Sequence, residues 1–396
     1  MKTYDRVYET VNLDAIRHNM EVMKNNIKPG TRIIGVVKAD GYGHGSVPVA
    51  LAIDSYVWAY ATATVEEAVI LRNHGITKPI IILGSAPESS YEQIIRYDLQ
   101  PTVFQMNKAV HLSDLACKEG KIVSVHIALD TGMSRIGYFA TEEAAEETAA
   151  ISRLPGIRIE GLFTHFAKAD EKDKSFADHQ MEEYQRFVSM VEEKGVEIPT
   201  HHCANSAGIL ELQQFGFDAV RAGIAIYGLY PSDEVDRESV KLIPAMELKS
   251  SIVYKKVIPK GTPVSYGGIF TADKETTVAT IPVGYGDGYP RSLSNKGFVL
   301  IRGKRARILG RVCMDQLMAD ITGIPEAEEG DEVTLIGRDG NEMIAVEELA
   351  SISGGFHYEI ICDIGKRVPR VYLENHHIVG TKDCFDEQFP GFSNHR

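Results

Sequence analysis

The chain has 396 residues, of which 44% are hydrophobic, 24% charged and 8% aromatic, as in an ordinary globular protein long enough for two domains. Its formal net charge is -13, from 42 basic and 55 acidic residues. Because phosphate backbones and anionic membranes attract a basic surface, this balance argues against nucleic acid or a membrane as the main partner.

The five cysteines are few, odd in number and without CxxC spacing. Such a set is typical of a reducing compartment, and it argues against a disulfide framework or a structural metal site. The N-terminal MKTYDRVYET has no apolar signal core, and no run approaches the length of a membrane span. We therefore expect a cytoplasmic protein.

The first 240 residues alternate between strand-like and helix-like segments. Residues 1–11 form an extended segment that we expect to pack with the C-terminal domain, and Asn12 can cap a helix whose apolar positions run from Leu13 to Ile27. The predicted strands that follow are Ile33–Val37, Val57–Ala63, Pro79–Leu83, Gln100–Phe104, Ile122–Leu129, Ile157–Phe163, His202–Ser206 and Ala219–Tyr227. Helices are predicted after Thr64, from about Ser90, and over Asn107–Lys118, Thr141–Arg153 and Phe176–Lys194.

Repeated βα units with continuous apolar strands imply a parallel sheet that is covered on both faces. Roughly eight such strands in this length fit a closed (β/α)8 barrel of the TIM type, which we place over residues 12–240. No GxGxxG lies between a strand and a helix, so a dinucleotide-binding fold is disfavoured.

Beyond about Pro244 the predicted strands become short and are broken by glycine and charged turns. They are Met246–Val257, Thr277–Val283, Phe298–Ile301, Ala306–Met318 and Glu332–Ile336. We therefore predict a mainly β C-terminal domain over residues 241–396.

The stretch IIGVVKADGYGHGS, residues 33–46, carries the first candidate site. Its strand runs into Lys38 at the carboxyl end, where α/β folds place ligands and catalytic groups. A lone lysine there more often extends to solvent, but the turn that follows contains three glycines, Tyr42 and His44 and favours a site. We interpret His44 as structural.

Nine separated motifs occur in one order along the chain. They are VVKADGYGHG at 36–45, DTGMSRIG at 130–137, THF at 164–166, HHCANSAG at 201–208, VRAGIAIYG at 220–228, VSYGGIF at 264–270, VGYGDGYPR at 283–291, GRVCMDQ at 310–316 and HYEI at 357–360. With these motifs the chain resembles the alanine racemases, a family of pyridoxal 5'-phosphate enzymes with a (β/α)8 barrel and a C-terminal β domain.

Racemisation removes a proton from a weakly acidic Cα and returns one on the other face, and the cofactor's aldehyde and pyridine ring make this feasible at neutral pH. By resemblance, Lys38 is the Schiff-base lysine and one base, and Tyr266 is the second base on the opposite face. A phenol with a reference pKa of about 10 needs a stabilised phenolate for this role. His165 and Arg221 match residues that could provide it, although a lone histidine or tyrosine would by default be a packing residue.

Arg221 matches the arginine that faces the pyridine nitrogen, where many other pyridoxal enzymes place a carboxylate. Because arginine donates a hydrogen bond without giving up its proton, the ring stays a weaker electron sink. By resemblance this limits transamination.

The resemblance also implies the remaining ligands. The cofactor phosphate is assigned to Tyr42, Ser206, the backbone amides of Gly223 and Ile224, and Tyr358. The substrate carboxylate is assigned to Arg135, Met314 and Asp315. Since Tyr266 and Met314 reach the partner's barrel in this family, a homodimer with shared active sites is implied.

Two positions depart from the family pattern. Many relatives have a carbamylated lysine two residues before the DTGM aspartate, and this chain has Ala128. We therefore expect Arg135 to meet chloride, another carboxylate or the substrate, or to sit differently, and we expect activity to need no bicarbonate. Ala222 replaces a frequent proline, which we expect to matter little.

The first interpretation is thus an alanine racemase that supplies D-alanine for peptidoglycan. A racemase of serine or of a broader set of amino acids is the first alternative, since a hydroxyl is worth only about 1–3 kcal/mol of discrimination in such pockets. A barrel-type pyridoxal-phosphate decarboxylase is disfavoured by Tyr266 and Arg221. A non-catalytic pyridoxal-phosphate-binding protein would have no reason to keep the C-terminal domain.

Overall fold

A computed structural model of the chain describes residues 4–215 and 217–384. These residues divide into two compact units. The first, which we call the β unit, holds the N-terminal residues up to Asp14, Tyr42–Gly45 and the chain from Ala245 onward. The second, the barrel unit, holds Ala15–Gly41 and Ser46–Pro244. The predicted domain limits at 11 and 240 stay predictions.

The barrel unit is built on a parallel sheet. Its strands, in spatial order, are Ile157–Phe163, Val123–Asp130, Gln100–Val103, Ile80–Ile82, Ala59–Thr62, Arg32–Val36 and Ala219–Ala222, and the two-residue strand Tyr138–Phe139 pairs with Val123–Asp130. Most of these strand residues are buried, as expected of strands covered on both faces. The predicted (β/α)8 fold class is confirmed.

An extended segment from His201 to Ala204 occupies the eighth position of the ring. The His202 amide donates to the Leu162 carbonyl at 3.1 Å on one side, and the Arg221 amide donates to the Ala204 carbonyl at 2.8 Å on the other. The predicted strand over 202–206 is wrong in its extent, because only a single bridge, between His201 and Leu162, is formed.

Two predicted strands at this end of the barrel are shorter in the structure. The Asn205 side chain accepts from the Gly208 amide at 3.0 Å, so a helix begins at Ser206 instead of the strand continuing. The strand predicted to run to Tyr227 ends at Ala222, and Ile224–Tyr227 forms a 3-10 turn.

Helices cover the outside of this sheet. They are Leu13–Asn26, Ser46–Ile53, Val65–Asn73, Tyr91–Arg96, Met106–Lys118, Glu142–Ser152, Ser175–Glu193 and Ser206–Glu211. The Thr64 side chain caps Val65–Asn73, where a helix is predicted, and forms a capping box with Glu67. The helix Ser46–Ile53 is not predicted, because an uninterrupted apolar run does not distinguish a helix from a buried strand.

The β unit is mainly antiparallel. Its strands are Val7–Asn12, Met246–Ser251, Tyr254–Ile258, Pro263–Val264, Phe270–Thr271, Thr276–Ile281, Phe298–Ile301, Lys304–Leu309, Leu317–Asp320, Glu332–Asp339, Glu342–Ile344, Arg370–Glu374 and His377–Lys382. Two helices, Val346–Ser353 and His357–Asp363, belong to it as well. Val7–Asn12 lies inside the sheet, antiparallel to Met246–Ser251 and parallel to Arg370–Glu374.

The predicted strands 246–257 and 306–318 are each two strands in the structure, separated by residues 252–253 in the first case and by the irregular segment 310–316 in the second. Within the described part of the chain, no helix is long and apolar enough to cross a membrane.

Candidate active site

Lys38 lies just beyond the carboxyl end of strand Arg32–Val36, at the start of an unusual turn. Ala39, Asp40 and Gly41 have φ values of 53°, 51° and 63°, so the backbone makes a left-handed turn that includes residues other than glycine. Non-glycine residues adopt this conformation at a cost, and they do so where the surrounding structure enforces it.

Two carboxylates of the barrel unit hold this turn. Glu67 Oε1 accepts from the Ala39 amide at 2.6 Å, while its Oε2 accepts from the Ala63 amide at 2.8 Å. Asp40 Oδ1 accepts from the Ser46 amide at 2.9 Å. Glu67 therefore both caps a helix and fixes the residue next to Lys38. The sequence signals only the first role, through the Thr-x-x-Glu pattern.

The remainder of the glycine-rich motif packs within the β unit. A Cβ at Gly43, whose φ is 88°, would lie 2.1 Å from the Ile361 carbonyl oxygen, so only glycine fits there. Tyr42 is buried, and its ring centroid lies 6.2 Å from that of Tyr358. Two of the predicted phosphate ligands are thus neighbours in this unit.

The Arg221 guanidinium is buried in the barrel interior among neutral acceptors. Its Nη2 donates to the carbonyls of Thr164 and Cys203 at 2.8 and 3.0 Å. Its Nη1 donates to the His202 carbonyl and to His202 Nδ1, the latter at 3.0 Å. Among the described residues, no carboxylate pairs with Arg221 and no acceptor bonds its Nε–H. The Nε–H therefore remains available to an acceptor that the described residues do not supply.

A hydrogen-bond chain extends from Arg221 through the barrel interior. Because a guanidinium can only donate, His202 Nδ1 must accept, and His202 Nε2–H then donates to His126 Nδ1 at 3.0 Å. His126 Nε2–H in turn donates to Gln100 Oε1 at 3.0 Å. Arg221 thus fixes the tautomers of both imidazoles. Neither Gln100 nor His126 is a predicted site residue.

Burial keeps these imidazoles neutral. Desolvation, with smaller contributions from the cations Arg221 and Arg32, lowers the pKa of His126 to about 3. Burial, followed by the effects of His126 and Arg221, holds the pKa of His202 well below its usual value. Burial also lowers the pKa of Arg221 to about 10, so the guanidinium stays protonated at neutral pH.

His165 is hydrogen-bonded to Arg221 and lies within electrostatic range of Lys38. Arg221 Nη2 lies 3.1 Å from His165 Nδ1, which must accept, so the imidazole proton is on Nε2. Burial lowers the pKa of His165, and the nearby charges of Arg221, Arg135 and Lys38 lower it further. His165 is thus a neutral imidazole whose Nε2–H has no hydrogen-bond acceptor among the residues the structure describes.

Arg135 is exposed in the barrel unit, and within the described residues its side chain makes no hydrogen bond or ion pair. Ala128, which stands where a carbamylated lysine is frequent, is 1% exposed and pairs with Phe163 in the sheet. No carboxylate of the described chain therefore takes the place of the missing carbamate beside Arg135.

Ser206 brings together the predicted phosphate ligands of the barrel unit. Its Oγ accepts from the Gly223 amide at 3.0 Å and from the Ala225 amide at 3.3 Å. The Ile224 amide opens the 3-10 turn that follows. A hydroxyl and the first amides of a turn are suitable donors for a phosphate.

Tyr266 projects from the β unit with 70% of its surface exposed. It follows Ser265, whose φ of 63° marks a strained backbone, and Ser265 Oγ donates to the Arg311 carbonyl at 2.6 Å. Ser265 Oγ also lies 3.4 Å from Cys313 Sγ. These contacts tie the turn that carries Tyr266 to the segment that carries Met314, which is 53% exposed.

The site contains no recognisable metal centre, since no group of three or more histidine, cysteine or acidic side chains in the described residues could hold an ion.

Family models match both parts of the chain. The alanine racemase N-terminal domain matches residues 11–231, and the alanine racemase C-terminal domain matches residues 245–372. Among curated proteins, an alanine racemase of Clostridium novyi (strain NT) is 42% identical over 379 residues, covering 95% of this chain and 98% of the relative. An alanine racemase of Desulforamulus reducens is 44% identical over 368 residues, covering 93% and 99%.

Solved structures agree in fold over nearly the whole length. The alanine racemase of Clostridium difficile 630 superposes with a TM-score of 0.93 at 38% identity, covering 96% of this chain and 99% of that one. The alanine racemase from Bacillus anthracis with bound L-Ala-P gives a TM-score of 0.91 at 37% identity, covering 97% and 99%. From the match in both parts and along the full length, we conclude that the chain belongs to the alanine racemase family.

Proposed function

We propose that this protein interconverts L-alanine and D-alanine with pyridoxal 5'-phosphate as cofactor. The observation that carries the proposal, beyond family membership, is the Arg221 guanidinium, a buried cation whose Nε–H has no acceptor among the described residues. An uncharged pyridine nitrogen fits this donor, because it accepts one hydrogen bond and needs no proton. When bound, the cofactor supplies an aldehyde for the substrate amine and a ring that withdraws electrons from Cα.

Lys38 would hold the cofactor through its aldehyde, and the Lys38 amine would be one of the two bases. As a base it would take up or return a proton at the substrate Cα. The left-handed turn braced by Glu67 supports this role, because it fixes the backbone at the neighbouring Ala39.

Tyr266 is the second base, and it acts on the opposite face of Cα. The His165 Nε2–H is a suitable donor to a phenolate, and Arg221 fixes the tautomer that presents it. Because Tyr266 is largely exposed on its own unit, we propose that it serves the barrel of a second copy, so that the active enzyme is a homodimer.

The remaining residues bind and orient. The phosphate is held by Tyr42, Ser206, the amides of Gly223 and Ile224, and Tyr358. The substrate carboxylate is bound by Arg135 and by the segment of Met314 and Asp315, with the Met314 amide as a donor. Because Arg135 has no anionic partner within the described chain, an external anion or the substrate itself neutralises it.

Serine is the competing substrate, because Ala128 leaves a small side chain where many relatives have a lysine. We propose alanine as the main substrate, since the Tyr358 phenol narrows the pocket toward a methyl group. The cellular role is the supply of D-alanine for peptidoglycan in the cytoplasm.

A substrate panel tests the proposal. Purified protein with added pyridoxal 5'-phosphate is expected to interconvert the enantiomers of alanine, and those of serine more slowly, without release of carbon dioxide. Assays with and without chloride and bicarbonate test the surroundings of Arg135. Release of carbon dioxide would favour the decarboxylase alternative, and a coloured protein without turnover would favour a cofactor-binding protein.

A further inference from the structure

The segment of Met314 and Asp315 is irregular, and within the β unit three groups hold it. The Tyr285 amide donates to the Cys313 carbonyl at 3.1 Å, and the Gly286 amide donates to the Met314 carbonyl at 2.8 Å. Arg367 is the third group. Its Nη2 donates to Asp315 Oδ1 at 2.8 Å and approaches the Met314 carbonyl at 3.4 Å.

The other edge of Arg367 is anchored on a buried carboxylate. Arg367 Nε donates to Asp287 Oδ1 at 2.7 Å, and Asp287 is 1% exposed. Arg6 binds the two oxygens of the same carboxylate at 2.7 and 2.8 Å, and the Gly284 amide donates to Oδ2 at 3.0 Å. Asp287 is therefore held by Arg6 and the Gly284 amide as well as by Arg367, and Arg367 joins it to Asp315.

Little space is left around Gly286, which packs between Arg367 and the Met314–Asp315 segment. A Cβ on Gly286 would lie 2.6 Å from Arg367 Nη2 and 3.0 Å from the Met314 carbonyl oxygen. The guanidinium and the segment thus pack directly against a glycine backbone. This packing leaves little freedom for either group.

The charges of this cluster balance. Asp287 and Asp315 contribute two negative charges, and Arg6 and Arg367 contribute two positive ones. Arg6 makes no contact with Asp315 in the described structure, so Arg367 is the cation that neutralises it. Without Arg367, the Asp315 carboxylate would have no cation beside it, next to the segment that is proposed to bind the substrate carboxylate.

We infer that Arg367 is a positioning residue that fixes the Met314–Asp315 segment and neutralises Asp315, so that the substrate carboxylate can be bound there. The inference rests on the proposed function, because it assumes that this segment meets the substrate. Arg367 itself is assigned no contact with the substrate.

Arg6 provides a matched control, because Arg6→Gln and Arg367→Gln each remove one arginine from Asp287, and only the second releases Asp315. Both variants are expected to lower Tm. Arg367→Gln is expected to raise KM for alanine about tenfold with a smaller change in kcat, since one uncompensated charge at a partly exposed site changes anion affinity by roughly this factor. The inhibition constant of propionate should rise by the same factor. In Arg6→Gln, both constants should stay within about twofold of the wild type.

Equal effects of the two substitutions on KM, or no effect of either, would overturn the inference. If Arg367→Gln does not fold, Arg367→Lys replaces it, because lysine keeps the charge beside Asp287 but lacks the planar fork that binds both carboxylates. Amide hydrogen exchange of residues 313–316 in the cofactor-free protein separates this inference from the proposed function. Faster exchange in the Arg367 variant than in the Arg6 variant is expected even if the wild type has no racemase activity, and equal exchange would refute the positioning role.

Discussion

Replacing Arg221 by lysine should destabilise the barrel unit although the charge is kept. Five buried acceptors depend on the Arg221 guanidinium, namely three carbonyls and two imidazole nitrogens. Arg221 serves these acceptors with its four Nη–H groups and a lysine ammonium has three N–H groups, so at least one acceptor loses its donor. A buried polar group left unsatisfied costs about 1–3 kcal/mol, and a loss of this size is expected in the free energy of unfolding.

The single tryptophan allows the loss in unfolding free energy to be measured for the barrel unit. Trp58 lies in the barrel unit, where the Arg32 guanidinium is 4.2 Å from its ring, so its fluorescence follows unfolding of that unit. Urea denaturation of the cofactor-free variant and wild type at one protein concentration gives the difference. Arg153→Lys is the control, because Arg153 is exposed, and it should change the free energy by less than about 0.5 kcal/mol. If Arg221→Lys is as stable as that control, the described hydrogen bonds do not hold the barrel interior together.

Three other predictions concern pH, the Lys38 turn and the missing carbamate. The free energy of unfolding should fall as the pH drops from about 6.5 toward 3. Burial holds the pKa of His126 at about 3 in the folded protein, so the unfolded chain binds more protons in this range. Equal urea midpoints at pH 7.5 and 5 would count against this prediction. Glu67→Gln places an amide donor against the Ala39 or the Ala63 amide and should lower the free energy of unfolding by about 1–3 kcal/mol. It should also weaken cofactor binding, measured by titration of pyridoxal 5'-phosphate. Glu66→Gln, at the exposed neighbouring position, should change neither quantity. Because Ala128 cannot carry a carbamate, activity should be unchanged by rigorous bicarbonate depletion. Loss of activity on depletion, with recovery when bicarbonate is added back, would refute this prediction.

Helices and strands that depend on local sequence patterns could be predicted from the sequence. Continuous apolar strands separated by amphipathic helices indicate the barrel, and Thr64 with Glu67 marks a helix start that the structure contains. The strand predicted over 202–206 fails because Asn205 caps a helix, a competition between two local signals that apolar periodicity does not resolve.

Contacts between residues far apart in the chain could not be predicted in this way. Gln100, His126 and His202 lie on three separate positions of the barrel, with strand Ile157–Phe163 between those of His126 and His202, and nothing local marks any of them as a partner of Arg221. The glycine pattern likewise gives no sign of the positive φ of Ala39, whose amide donates to Glu67 in the later helix Val65–Asn73.

The central claim is that two different groups, Lys38 and Tyr266, exchange the Cα proton on opposite faces. The most direct test is the conversion of L-alanine in deuterated water, with the first-formed D-alanine isolated and its Cα analysed for deuterium. Two bases predict that this product carries solvent deuterium, because the group that reprotonates Cα is not the group that removed the proton. The reaction from D-alanine should give the same result, and Tyr266→Phe should slow both directions. First-formed product that retains the original hydrogen, or an unchanged rate in Tyr266→Phe, would contradict the claim.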